Sequence, residues 1–107
     1  MSPWAWLALA GAAEVAWSQS IRPTDGFTRP GATLLCLALA LAAIYPLTRA
    51  MRDLPVGTGY VVFTGIGGLG ALALGVLAAG DPLTAPRVLG GLLIVAGVAT
   101  LRAAGGG

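Results

Sequence analysis

The sequence predicts an all-α membrane protein with four transmembrane helices. Of its 107 residues, 57% are hydrophobic and 9% are charged, whereas soluble domains are roughly 25% charged. A helix rises about 1.5 Å per residue, so about 20 apolar residues cross a hydrocarbon core of about 30 Å. Four apolar segments have that length, roughly 3–21, 32–48, 56–79 and 85–101. The whole chain, 1–107, is therefore predicted to form a single four-helix transmembrane domain in the lipid bilayer.

The first segment also has the apolar character of a cleaved signal peptide, but three features favour a permanent helix. No Lys or Arg precedes it, Glu14 interrupts its apolar run, and three further apolar segments follow. A signal peptide begins with a positively charged region and ends at a cleavage site. We therefore expect residues 3–21 to remain as the first helix.

Short links rich in turn residues join the four segments. Residues 22–31 hold two prolines, two glycines and three charges, 49–57 hold Pro55, and 79–86 hold Asp-Pro followed by a second proline. Proline and glycine clusters of this kind end helices and form turns. Because the links are short, consecutive helices are expected to run antiparallel, with both termini on the same side of the membrane.

The six arginines divide equally between the two sides of the predicted bundle. One side carries Arg49, Arg52 and Arg102, and the other carries Arg22, Arg29 and Arg87. An excess of Lys and Arg on one side normally sets the orientation of a membrane protein. Two interpretations stay open here. Either the chain is a small protein with only a weak preference for one membrane orientation, or it inserts in both orientations. In the second case it would pair antiparallel with itself, as inverted repeats do in larger transporters.

Glycines mark the third and fourth segments. Residues 64–70 contain four glycines, and each lowers helix propensity by about 1 kcal/mol relative to alanine, so a bend near 65–68 is expected. In the fourth segment, Gly90 and Gly97 lie seven residues apart with Ile94 beside them. Small residues let membrane helices approach closely. This stripe predicts either a contact between chains or packing within one chain.

Glu14 is the only charged residue well inside any of the four segments. A charge near the membrane centre costs at least about 2.5 to 3.5 kcal/mol, so such residues usually face a cavity on an ion or proton route. The alternative is a protonated glutamic acid that hydrogen-bonds neighbouring helices. However, the chain has no His or Lys, and its arginines lie at segment ends. A proton and a cation would then compete for one carboxyl, which is the chemistry of an antiporter.

Residues with room or π-faces for a cation lie near Glu14 in the predicted helices. Helical spacing places four of them one turn away, namely Ala10 and Gly11 before it and Trp17 and Ser18 after it. An indole face suits a cation or a planar guanidinium group. In the third segment, Tyr60 and Phe63 lie three residues apart, a spacing that ordinary core packing would also explain.

Other classes of protein find little support. Cys36 is alone in its segment, and the three aspartates all lie in links, so the sequence offers no nucleophile–base pair, cofactor site or metal cluster. The net charge of +2 comes from scattered arginines, which does not predict a nucleic-acid partner. We therefore expect no enzyme, no cofactor and no metal. The remaining rival is a non-transporting membrane subunit or a lipid-carrier flippase, which would tolerate Glu14→Gln.

Several motifs together resemble one family. "AEV" around Glu14, "GFTR" (26–29), "LPVGTGYVVFTGIG" (54–67) and "GLLIVAGV" (91–98) are similar to the small multidrug resistance family of proton-coupled cation exporters. The resemblance implies a bacterial inner-membrane protein that forms an antiparallel dual-topology homodimer or a heterodimer with a paralogous chain. It also implies these roles: Glu14 as the shared proton and substrate site, Tyr60 as a gating aromatic, Gly65 and Gly67 as the third-helix bend, and 90–98 as the dimer contact.

Three further features resemble the branch of that family that exports guanidinium. Trp17 follows "EVA" directly, and the runs "TGIGGLGA" and "DPLTAPR" (81–87) also match. The chain departs from this branch at Ala43, where the branch carries a serine, and at Phe63, where the family usually has tryptophan. Loss of these hydrogen-bond donors predicts a more apolar pocket. The open alternatives are an exporter of quaternary ammonium and other lipophilic cations, and one partner of a heterodimer.

Overall fold

The computed structural model describes residues 2–104, which form four α-helices and no strand. Helix α1 spans Pro3–Ile21, α2 spans Pro30–Ala50, α3 spans Val56–Ala78 and α4 spans Ala85–Ala103. A single 3-10 turn, Arg22–Thr24, follows α1. The prediction of an all-α chain with four helices is confirmed. Helix α2 starts two residues before the apolar segment at 32 and ends two after it, because a helix continues past the apolar run into its polar ends.

Proline and hydroxyl side chains explain where the helices begin. Pro3 and Pro30 occupy the first positions of α1 and α2, where a missing N–H costs nothing. The Ser2 hydroxyl accepts a hydrogen bond from the Ala5 amide at 3.1 Å, and the Thr84 hydroxyl accepts one from the Arg87 amide at 3.4 Å. These side chains satisfy amides that have no partner within the helix.

Three of the helices, α2, α3 and α4, are long and apolar enough to cross a membrane by length and composition. Helix α1 has 19 residues, the same number as α4. It is less apolar because it contains Glu14 and the polar residues 18–20. The three apolar spans indicate a multi-pass membrane protein.

Helix α1 is the centre of the packing. It lies along both α2 and α3, whereas the backbones of α2 and α3 approach each other little and the backbone of α4 runs close to α3 alone among the helices described. The buried core gathers where α1, α2 and α3 meet. Its members are Leu7, Ala10, Ala43, Leu47, Ala50, Leu54, Val62 and Phe63. Helix α4 has no buried residue, so it presents most of its apolar surface outward.

Glycines allow α1 and α3 to approach closely. A Cβ atom added to Gly11 would overlap the Ile66 side chain, and one added to Gly70 would overlap the side chain of Val15. Because each glycine faces a bulky residue on the other helix, the two helices mesh in one register. Helix α3 runs without interruption from Val56 to Ala78, and the bend expected near 65–68 stays a prediction.

Two arginines contact aromatic side chains at the end of the bundle where α1 begins and α4 ends. The Arg49 guanidinium lies 4.8 Å from the centre of the Trp6 ring and donates a hydrogen bond of 2.9 Å to the Tyr45 hydroxyl. The Arg102 guanidinium lies 5.3 Å from the centre of the Trp4 ring. Such cation–π contacts contribute about 0.5–2 kcal/mol each. These two contacts hold the C-terminal ends of α2 and α4 against the N-terminal part of α1.

Leu7 provides a test of the core, because its side chain is fully buried whereas that of Leu77 is 82% exposed. Leu7→Ala is expected to lower the free energy of unfolding by about 2–5 kcal/mol, through lost contacts and a cavity. Leu77→Ala is expected to change it by less than about 0.5 kcal/mol. Denaturant unfolding of both variants in the same detergent checks this, and equal losses would contradict the assigned core.

Candidate functional site

A cleft of about 530 Å³ lies beside the middle of α1, between α2 and α3. It exists because α1 separates these two helices, whose backbones approach each other little. Helix α1 contributes Glu14, Trp17 and Ser18 to its walls. The other lining residues are Ala40, Ala43, Ile44 and Leu47 of α2 and Tyr60, Phe63, Thr64, Gly67, Gly68 and Ala71 of α3. The walls are thus mostly apolar, and the cleft has the size of a small-ligand pocket, about 300–1,000 Å³.

Glu14 is the only charged residue among those that line the cleft. Its side chain is partly buried. Within residues 2–104 the one ion pair joins Arg87 to Asp81, at 3.8 Å, so no arginine there neutralises Glu14. A partly desolvated carboxylate without a cation favours either a bound proton or a bound cationic ligand.

Two hydroxyl groups of the cleft donate hydrogen bonds to carbonyl groups of their own helices. Ser18 donates a hydrogen bond of 2.6 Å to the Val15 carbonyl, and Thr64 donates one of 2.9 Å to the Tyr60 carbonyl. In the described part of the chain, no group of three His, Cys, Asp or Glu residues is placed to hold a metal ion. The Glu14 carboxylate is the charged group of this cleft, so it is the group there that can pair with a cation.

Three aromatic side chains supply the π-faces of the cleft, namely Trp17, Tyr60 and Phe63. The rings of Tyr60 and Phe63 have centres 6.2 Å apart and are tilted by 43°. Phe63 is buried in the core, whereas Tyr60 is 55% exposed. Tyr60 thus stands at the mouth of the cleft and Phe63 in its wall. A flat or alkylated cation could lie against these faces while its charge meets the carboxylate.

Most of the residues predicted around Glu14 do meet in this cleft, and two do not. Trp17, Ser18, Tyr60 and Phe63 line it together with Glu14. Ala10 is instead fully buried in the core, and Gly11 is covered by Ile66. Both residues lie about one turn from Glu14 in α1, as expected. However, α1 is rotated about its axis so that they face packed residues and not the cleft. The ligand-binding role expected for the set stays a prediction.

The two bend glycines face different partners. A Cβ atom added to Gly65 would lie 2.9 Å from Val98 Cγ2 of α4, whereas one added to Gly67 would overlap the Glu14 side chain. Gly65 therefore belongs to the contact between α3 and α4, and Gly67 belongs to the cleft.

The α2 wall is the part of the cleft that the sequence reasoning largely missed. The sequence points to Ala43, but it gives no sign that Ala40, Ile44 and Leu47, or Ala71 of α3, line the cleft. The spacing of 40, 44 and 47 marks one face of a helix. Because α2 is apolar on all sides, this spacing does not tell which face borders a cavity.

Two glycines of α4, Gly90 and Gly97, lie on an open surface. A Cβ atom added to Gly90 or Gly97 would meet no atom within 4 Å, whereas Ile94 lies 3.4 Å from one added to Gly65. A second groove of about 560 Å³ runs between α3 and α4 and includes Gly97 and Thr64. Within residues 2–104 of this chain no atom covers the Cβ positions of Gly90 and Gly97, whereas the Ile94 side chain packs against α3. The contact with another chain that is expected for these three residues stays a prediction.

A family model and several named proteins are similar to this chain over most of its length. A family model described as "Small Multidrug Resistance protein" matches residues 2–94. The chain is 42% identical over 99 residues to a protein of Citrobacter freundii named "Guanidinium exporter", covering 92% of this chain and 94% of the relative. It is 37% identical over 101 residues to a "Guanidinium exporter" of Yersinia pseudotuberculosis, covering 94% of this chain and 97% of the relative. A third protein of that name, from Salmonella typhimurium strain LT2, is 37% identical over 99 residues.

Proposed function

Because the chain belongs to the small multidrug resistance family, we propose that it exports guanidinium and small substituted guanidinium cations across the bacterial inner membrane in exchange for protons. The observation that carries this proposal is Glu14, the one charged residue of an apolar cleft, with Trp17, Tyr60 and Phe63 around it. The names of its relatives support guanidinium as the substrate. On this proposal the protein moves its ligand and does not transform it.

In the proposed cycle, Glu14 holds either a proton or the cation. A planar guanidinium ion donates hydrogen bonds to a carboxylate in a fixed fork geometry. The Trp17 and Tyr60 rings offer it a π-face. When the cation leaves on one side, protons from that side replace it on the Glu14 carboxyls of both paired chains, because an unpaired carboxylate in this setting is costly. Two protons then exchange for one cation, so each cycle moves net charge. The protonated site then returns to the other side, so the proton gradient drives export.

The shape of the cleft bears on which cations it accepts. At about 530 Å³ it lies within the range of pockets for drug-sized ligands, more than a bare guanidinium ion needs. Ala40, Ala43, Ile44 and Leu47 form an apolar wall opposite α3. These features favour substituted guanidinium ions with an apolar group. They also support the second candidate, an exporter of quaternary ammonium and other lipophilic cations.

We further propose that two chains pair antiparallel, either as a homodimer or as a heterodimer with a paralogous chain. All four helices, including the less apolar α1, then cross the bilayer as one domain over 1–107. Three arginines on each side of the bundle support insertion in both orientations. The outward-facing Gly90 and Gly97 of α4 support a contact with a second chain.

Transport by purified protein in proteoliposomes tests this function. Currents are recorded for guanidinium, phenylguanidinium and tetrapropylammonium, each with and without an opposing pH gradient, and liposomes without protein serve as the control. We expect saturable currents for the two guanidinium ions that grow with the pH gradient. Currents for tetrapropylammonium alone would favour the second candidate. Absence of current for every cation, with and without the paralogous chain, would contradict the transport proposal.

A further inference from the structure

Gly67 of α3 lies directly against the side chain of Glu14. A Cβ atom added to Gly67 would overlap Glu14 Cγ, and it would lie 3.1 Å from Glu14 Cβ and 3.6 Å from the carboxyl carbon. Gly67 is itself buried and lines the cleft. The methylene groups of Glu14 therefore rest on the bare backbone of α3, and the carboxyl group extends from that position.

Neighbouring glycines of the same helix do not have this contact. A Cβ atom at Gly70 would meet Val15, one at Gly65 would meet Val98, and one at Gly68 would meet nothing within 4 Å. Gly67 and Gly68 are adjacent, so they contribute equally to the flexibility of the same helical turn. They differ in that only Gly67 faces Glu14.

We propose that Gly67 is a positioning residue, whose missing side chain sets where the Glu14 carboxyl group stands in the cleft. This inference rests on the proposed function of Glu14 and deepens it. It differs from the helix bend that the sequence suggests for this glycine, because it concerns a contact with the ligand-binding group and not the flexibility of α3.

The surroundings leave Glu14 little freedom to adjust. The contacts of Gly11 with Ile66 and of Gly70 with Val15 hold α1 and α3 together on both sides of Glu14. A methyl group at 67 therefore cannot be relieved by moving the helices apart without losing those contacts. It forces the Glu14 side chain into another rotamer. The carboxylate then meets the cation, and the aromatic rings around it, in a different place.

The test compares Gly67→Ala with Gly70→Ala, a matched variant that adds the same methyl group to the same seam but presses on Val15. Binding of phenylguanidinium is followed by tryptophan fluorescence between pH 5 and 9. Misplacing a functional group by about 1 Å can cost up to about 100-fold, and we expect Gly67→Ala to bind at least tenfold more weakly. We also expect it to move the midpoint of the pH dependence, because the displaced carboxyl has new surroundings. Gly70→Ala is expected to lower thermal stability and to move that midpoint less than Gly67→Ala does.

Gly68→Ala separates positioning from bending. If the helix must flex at this turn, Gly68→Ala and Gly67→Ala should impair binding alike. If Gly67 positions the carboxyl group, Gly68→Ala should be several-fold less impaired. Equal impairment of the two variants, or a wild-type pH midpoint in Gly67→Ala, would overturn the inference. Loss of binding in Glu14→Gln with no effect of Gly67→Ala would leave the proposed function intact and reject the positioning role alone.

A double variant keeps the test decisive if Gly67→Ala does not fold. Glu14→Ala removes the side chain that the new methyl group overlaps. If the clash with Glu14 is the cause, Gly67→Ala combined with Glu14→Ala should recover the folded, detergent-stable protein. Failure of the double variant to fold, when Glu14→Ala alone does fold, would place the damage elsewhere in α3 and reject the inference.

Discussion

Glu14→Gln is expected to reduce proton-coupled cation currents to the level of liposomes without protein. Glutamine has nearly the same shape, so it can rest on Gly67 as glutamate does, and the fold should persist. It carries no negative charge and releases no proton. Removing one partner of a buried charge pair costs about 3–5 kcal/mol, which corresponds to at least about 100-fold weaker cation binding. Currents and thermal stability of the two proteins, measured side by side, check this expectation.

Two control variants define what the loss means. Asp53→Asn removes a carboxylate from the exposed link between α2 and α3 and should leave the currents unchanged. Glu14→Asp keeps a carboxyl group on a shorter side chain, so it should retain exchange with a changed pH dependence. Persistent pH-driven currents in Glu14→Gln would contradict the antiport proposal and favour a role that does not use this carboxyl, such as that of a non-transporting subunit.

Gly97→Leu is expected to break the proposed dimer and abolish transport without unfolding the protomer. A Cβ atom at Gly97 meets no atom within 4 Å, so a larger side chain fits within one chain. Between two membrane helices, however, close approach depends on small residues. We expect the dimer fraction to fall at least tenfold at equal protein density, a change of about 1.4 kcal/mol in association free energy. Single-molecule photobleaching of labelled protein in liposomes measures that fraction.

Gly31→Leu is the matched control for this variant. Gly31 is also open, with no atom within 4 Å of an added Cβ, but it lies in the first turn of α2 and not on α4. Gly31→Leu should leave the dimer fraction and the currents unchanged. If Gly97→Leu remains dimeric and active, the contact between chains does not involve this part of α4.

The helices and the special character of Glu14 could be predicted from the sequence because both depend on local properties. A run of apolar residues about 20 long is a membrane span wherever it packs. A carboxylate inside such a run is costly in almost any arrangement. The two ends of α2 could not be predicted to the residue, because proline and arginine occur both at helix ends and in links.

The partners of each side chain could not be predicted in the same way. Ala10 and Trp17 are both about one turn from Glu14, yet Ala10 lies in the core and Trp17 in the cleft. Gly65 and Gly67 look equivalent in the sequence, yet one faces Val98 and the other Glu14. Helices that are apolar on all sides carry no periodic signal that says which face is turned inward.

By itself, the sequence determined an all-helical membrane chain with one intramembrane carboxyl group, and its motifs pointed to the family. These follow from composition, length and the cost of burying charge, which act on each segment separately. The tertiary structure decided that α1 separates α2 from α3 and so opens the cleft, that α2 supplies its apolar wall, and that Glu14 rests on Gly67. Those features depend on how far each helix is rotated about its axis, and close packing against other helices sets that rotation.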